Sequence, residues 1–258
     1  MTVLLLRLAG PLQSWGSAAR FARRSTENAP TKSGVLGLLA AAEGRPRDAD
    51  LSDLAALRFG VRIDQPGTRL RDFHTAHHSD SGKAMPLSER FYLADAVFVA
   101  GLEGDPALLQ HLHQALRAPC FLPYLGRRSC PPSLPLDMGA PQDGTTLEDA
   151  LCTAEWQASA WYRQQRKRTS RSGRGPVAAD SLDILIDCPP DETPHLSLRD
   201  TPLAFDPRHR RYGLRGVLTD RVGLPADAAQ EPHDPTAGLR PLPTPLSTTT
   251  AEDSPRTP

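Results

Sequence analysis

The chain has 258 residues, with 30 Lys and Arg against 30 Asp and Glu and 39% hydrophobic residues, enough for one large or two small domains with a real core. The first apolar run, residues 3–6, stops at Arg7, too short for a signal-peptide core or a membrane span, and no later run approaches one. Its four cysteines, Cys120, Cys130, Cys152 and Cys188, lack any paired C-x-x-C spacing, which argues against a zinc site or a secreted disulfide scaffold and for a cytoplasmic protein.

Taken in order, residues 2–8 form an apolar run suited to a buried strand. Thr31 is placed to cap a helix whose apolar face is Val35, Leu36, Leu38, Leu39 and Ala42, ending near Gly44. A short helix at 52–57 leads into an alternating strand at 59–64. Residues 65–90 are polar, and 91–100 read as a second strong strand. Asp105 caps another helix with Pro106 at its first position and Leu108, Leu109, Leu112, Ala115 and Leu116 on one face. Residues 120–125 supply a fourth strand. This β-α-β-β-α-β order predicts an α+β, ferredoxin-like domain over 1–130, the arrangement that RNA-recognition modules also use.

Beyond 130 the pattern weakens, and a smaller β-rich region is expected over 131–223, with a strand at 181–186 and a flexible basic loop at 163–176. Six bases and no acid lie between Trp156 and Ala179. A second basic cluster is Arg208, His209, Arg210, Arg211 and Arg215. Such clusters mark either a solvated face or a polyanion site. Residues 224–258 hold five acids, two bases and 8 of the 26 prolines, and are expected to be a disordered tail. Without it the remainder carries 28 bases and 25 acids, a net +3.

Three stretches point to chemistry. In Pro123-Tyr124-Leu125-Gly126-Arg127-Arg128-Ser129-Cys130-Pro131 a glycine turn presents two adjacent guanidiniums, donors whose fork suits phosphate oxygens. Thr31-Lys32-Ser33 lacks the glycines of a nucleotide-binding P-loop. What remains is a helix N-terminus that is either an anion site or an ordinary cap. Trp15, between Ser14 and Gly16, is a stacking platform, a partner anchor or a hydrophobic plug, and Tyr124 and Phe73 carry the same alternatives. His74, His77 and His78 have no acidic or cysteine partner at metal-ligand spacing. His74, near Arg71 and Lys83, could serve as the base of a metal-independent ribonuclease. No serine elbow, zinc-protease or dinucleotide motif supports a small-molecule enzyme.

These residues resemble the CasD subunits of the type I-E CRISPR surveillance complex, Cascade, in the repeat-associated (RAMP) superfamily. The resemblance rests on Leu6-Arg7-Leu8-Ala9-Gly10-Pro11 with Gln13 and Trp15-Gly16, and on Pro30-Thr31-Lys32-Ser33-Gly34 opening a Leu/Ala helix. It continues in Leu70-Arg71-Asp72-Phe73-His74-Thr75 and Tyr124-Leu125-Gly126-Arg127-Arg128-Ser129-Cys130-Pro131, and more weakly at 205–216. It implies a protruding β-hairpin thumb, falling here at about 76–90, on the ferredoxin-like domain. It also implies a non-catalytic RNA-binding subunit that grips the 5′ handle of the CRISPR RNA and contacts the large subunit and the first backbone subunit. Target DNA would be met through the complex, by guide pairing. Neither cofactor, metal nor membrane is implied. The expected RNA-binding residues are Arg24, Thr31, Lys32, Ser33, His74, Arg127, Arg128 and Ser129, with Gln13, Trp15 and Tyr124 facing a partner or stacking on a base. Metal-independent cleavage of repeat RNA is the alternative function.

Overall fold

The computed structural model describes residues 1–17, 23–171, 181–205 and 210–224. The expected tail beyond Leu224, residues 172–176 of the expected basic loop, and Arg208 and His209 lie outside the described residues.

In chain order the elements are β1 (Thr2–Ala9), β2 (Leu12–Gln13), β3 (Arg23–Arg24), α1 (Lys32–Glu43), α2 (Ser52–Ala56), β4 (Arg58–Gln65), β5 (Thr68–His74) and β6 (Ser88–Ala94). They continue with β7 (Val97–Gly104), α3 (Pro106–Arg117), β8 (Gln142–Asp143), α4 (Leu147–Thr153), α5 (Ala160–Arg171), β9 (Ser181–Asp187), β10 (Leu196–Ala204) and β11 (Arg211–Gly223). The fold is mixed α+β. A seven-stranded sheet runs β10-β11-β9-β4-β7-β1-β8, and its long strands pair antiparallel.

β1 is almost continuously buried because the sheet is covered on both faces. Leu4, Leu6 and Leu8 join Val35, Leu36 and Leu39 of α1 and Leu109 and Leu112 of α3 in the larger core. Val3 and Leu5 point the other way, against Leu147 and Leu151 of α4. The helix ends follow the capping signals. Thr31 accepts from the Gly34 amide, Gly44 closes α1 in the left-handed region, and Asp105 accepts from the Leu108 amide ahead of Pro106.

A smaller sheet is built around β6. β5 pairs along one edge, from Thr68↔Ala94 to His74↔Ser88. β2 and β3 share the other edge, at Leu12↔Ala94 and Arg23↔Glu89.

Four expectations change. The single strand at 91–100 is two strands in different sheets, parted at Asp95, whose φ of 56° turns the chain. The fourth strand expected at 120–125 is irregular chain with Phe121 57% and Leu122 85% exposed. Instead, two-residue β8 pairs with the far side of β1. The basic segment is helical through Arg171, as α5, rather than a loop. The β-rich region after 131 continues the main sheet, since β9 pairs with β4. Among the described residues no helix is long and apolar enough to cross a membrane.

Candidate nucleic-acid interface

The three motif stretches, far apart in sequence, meet at one place. The Ser14 amide donates to the Leu125 carbonyl (3.1 Å), and the Leu125 amide to the Cys130 carbonyl (2.7 Å). Gly126 sits at φ 83°, and a Cβ there would lie 1.8 Å from the Ser14 carbonyl oxygen. No other residue fits this crossing. A Cβ at Gly126 would also lie 3.6 Å from the Trp15 ring, and one at Gly34 2.8 Å from it. The α1 N-terminus therefore packs against the indole, and the indole against the arginine-bearing turn.

That packing settles the geometry of several expected site residues. Trp15 is fully buried, its indole N–H donating to Gln13 Oε1 (3.0 Å). Gln13 is buried as well, its amide donating to the Leu8 and Ala96 carbonyls. In this arrangement Trp15 has no open face for a base and is the hydrophobic plug. Thr31 and Ser33 are buried, and Thr31 spends its hydroxyl on the cap.

Lys32 is 5% exposed. Its Nζ donates to Asp187 (2.9 Å) and its amide to Asp200 (2.9 Å), while Arg215 donates to both carboxylates. The anion at the α1 N-terminus is thus the protein's own, and Lys32 is not presented to an external phosphate. Burial opposes the charge on Arg215, but its bonds to Asp200 and Asp187 outweigh this and raise its pKa.

The remaining expected residues do lie at the surface, around the smaller sheet. Arg127, half-buried, stacks 4.7 Å over the Tyr92 ring of β6 and donates to the Arg24 carbonyl (3.0 Å). Its Nη1 is buried and has no hydrogen-bond partner. Arg128 and Ser129 are exposed, Tyr124 is 37% exposed, and the Cys130 thiol beneath them is pushed up by burial, so it stays protonated. Arg24 is exposed and pairs across to Arg90, which pairs in turn with Asp72. Partners across a ladder share a face, so these three side chains stand in one row. His74, at the end of β5, lies 3.4 Å from Asp72 with nearly half its side chain open to solvent.

Sequence reasoning passed over Arg23, Arg69 and Arg90. Arg23 lies 5.3 Å from the Phe91 ring centroid, Arg69 donates to Asn28 (2.7 Å), and Arg71 pairs with Glu89. The alternation Arg69-Leu70-Arg71 was the available signal, since on a strand it puts both guanidiniums on one side. Among the described residues no cluster of His, Cys, Asp and Glu could hold a metal ion.

An arginine-lined sheet braced by a buried tryptophan is an arrangement that can hold a polyanion by charge-assisted hydrogen bonds and ring stacking. A family profile described as "CRISPR-associated protein (Cas_Cas5)" matches residues 3–218, a span that takes in both sheets. The chain belongs to this Cas5 family. It is 40% identical over 160 residues to the CRISPR system Cascade subunit CasD of Escherichia coli (strain K12), covering 54% of this chain and 71% of that relative.

Two solved structures resemble it. One, described as the crystal structure of a Cas protein, has TM-score 0.65 and 37% identity over 86% of this chain and 97% of the other. The second is a chain of a CRISPR RNA-guided surveillance complex, with TM-score 0.64 and 31% identity, covering 87% of this chain and 91% of that one.

Proposed function

We propose that the chain is a non-catalytic subunit of a type I-E Cascade surveillance complex. In this reading it holds the 5′ handle of the CRISPR RNA and joins the large subunit to the first backbone subunit. The kinship with a Cascade subunit supports membership in such a complex. The observation that carries the RNA assignment is the turn that sets exposed Arg128 and Ser129 beside Arg127, itself fixed over Tyr92 and bonded to the carbonyl of exposed Arg24.

A handle held as single strand needs phosphate donors to position it and open faces to stack on. Arg24 and the Arg127–Arg128 turn supply the donors, and Tyr124 (37% exposed) supplies a ring. The reading keeps a ferredoxin-like core, supported by the β4-β7-β1 order and by α1 and α3 sharing a core with β1. It takes the β5–β6 hairpin, Thr68 to Ala94, as the thumb, with its tip over 75–87. His74 is then a contact residue with no proton to move.

The test uses the chain assembled with its partner subunits and a labelled repeat RNA in EDTA, run on native and denaturing gels. Arg127→Ala with Arg128→Ala is expected to weaken handle binding about 10- to 100-fold at low salt, as lost charge-assisted bonds do. Its log-log salt slope is expected to fall by about 1.4, two single-strand phosphates' worth. Unchanged affinity and slope would remove the assignment. A discrete cut product that disappears in His74→Ala would overturn the non-catalytic reading.

A further inference from the structure

The described part of α5 divides cleanly into two faces. Tyr162, Arg163 and Arg166 turn inward: both guanidiniums lie within 6 Å of the Trp156 ring, at 5.9 and 5.8 Å, and Arg166 donates to the Ser181 carbonyl. Trp156 is 6% exposed, and its indole donates to the Asp64 carbonyl (3.0 Å). The helix is thereby seated on the main sheet next to β4 and β9. Ser159, just ahead of it, is bonded to Gln65 Oε1, and Gln65 donates in turn to the Asp95 carbonyl at the β6–β7 turn.

Trp161, Gln164, Gln165 and Arg168 fall at helical spacing on the outer face, and all four are exposed. Of the chain's three tryptophans, Trp15 and Trp156 are buried while Trp161 is 55% exposed. The helix carries five bases and no acid in its 12 residues. The inner face already anchors the helix, so the open indole is not needed to seat it and is free to meet a partner.

We propose that the outer face of α5 binds single-stranded nucleic acid independently of sequence, as a second site apart from the arginine sheet. The indole offers a flat ring to an unstacked base, and Gln164 can donate or accept at a base edge. Arg168 and the cationic field of the helix neutralise the backbone. A duplex keeps its bases stacked and offers no ring to Trp161, and an acidic peptide would have no use for it. The partner that fits both the charge and the ring is therefore a single strand.

The experiment uses the full chain and a fluorescein-labelled oligothymidylate of about 15 nucleotides, which contains no handle sequence, sized to the site lengths known for single-strand binding folds. Since Trp161 is the one exposed tryptophan among the described residues, stacking is expected to quench tryptophan emission as the oligonucleotide binds. Trp161→Ala should abolish the quench and lower affinity at least about fivefold, the lower end of what losing a stacking ring does. Trp161→Phe should keep most of the affinity, and Arg168→Ala should reduce the salt slope by about 0.7.

The same losses are expected in the Arg127→Ala, Arg128→Ala background, so the result stands whether or not the handle assignment does. No binding of the oligonucleotide, no quench, or equal affinity in Trp161→Ala would overturn the proposal. It falls equally if Trp161→Ala keeps its affinity but no longer co-purifies with partner subunits, which would make the face a protein interface.

Discussion

On β4 the guanidinium of Arg62 is completely buried: it is bonded to both oxygens of Asp64 and to the carbonyls of Leu151, Ala154 and Glu155. On β11 Arg215 is nearly so, locked between Asp187 and Asp200. On the smaller sheet Arg23, Arg24 and Arg71 stand in solvent, and Arg128 at its margin is exposed beside half-buried Arg127. One residue type thus does two jobs. On the main sheet arginines fasten other segments of chain, the α4–α5 connection by Arg62 and the α1 N-terminus by the Asp187–Asp200 pair. Around β6 they are held in place and offered outward. Counting bases along the chain cannot separate the two, because the difference lies in whether distant parts of the chain close over the guanidinium, as the Leu151, Ala154 and Glu155 carbonyls do over Arg62.

The sharpest way to break this comparison is to remove one guanidinium from each class. Arg62→Ala leaves the Asp64 carboxyl, already pushed up by burial, without the guanidinium that holds its charge. It also takes a donor from the Leu151, Ala154 and Glu155 carbonyls, of which only Glu155 keeps another, from Gln157. The expected cost is about 3–5 kcal/mol, as for other broken buried pairs, which lowers the melting temperature by about 10 °C in a chain of this size. A thermal melt within about 1 kcal/mol of the parent, the range of an exposed pair, would erase the distinction. Arg127→Ala with Arg128→Ala should do the reverse and leave the melt nearly unchanged while RNA affinity falls.

Lys32→Ala sharpens the boundary, because sequence and structure give it opposite roles. The sequence places it with the phosphate donors; the fold spends it on Asp187. Asp187 still keeps Arg215 and the Phe59 amide after the change, so the cost is smaller, about 1–2 kcal/mol. The melt should drop while the salt slope of RNA binding stays at the parent value. A reduced slope with an unchanged melt would return Lys32 to the interface.

What was legible in the chain follows from how local each signal is. Helices α1 and α3 announced themselves through Thr31, Asp105 and Pro106, since a cap satisfies amides within three residues of itself. The glycine-arginine stretch was legible as a turn, because Gly126 and its neighbours sit on one loop. Its brace was not: only the fold shows that Trp15 supports that turn from beneath. Residues 120–125 misled because an apolar stretch reads as a buried strand, while Phe121 and Leu122 are in fact exposed. The basic segment misled in the other sense. Like charges suggested a loop, but Arg163 and Arg166 are absorbed by Trp156, which comes from the connection just before the helix.

The smallest expected effect concerns Arg58, which lies between the two classes. It is about one-third exposed, bonded to Glu103 (3.0 Å) and to Glu148 of α4. The Arg58 side chain holds the Glu148 carboxyl below its ordinary value of 4.5. A carboxyl whose folded pKa is depressed stabilises the fold above its unfolded pKa, and that contribution disappears as pH falls through the folded value. Glu148 is 43% exposed, so solvent screening limits the gain to under about 1 kcal/mol. Glu148→Gln should therefore melt slightly below the parent at pH 7, and the gap should close as the pH drops below 4.5. A gap that persists in acid would mean that the side chain contributes by packing on Arg58 rather than by charge. Arg58 would then belong with Arg62, among the arginines that fasten the fold.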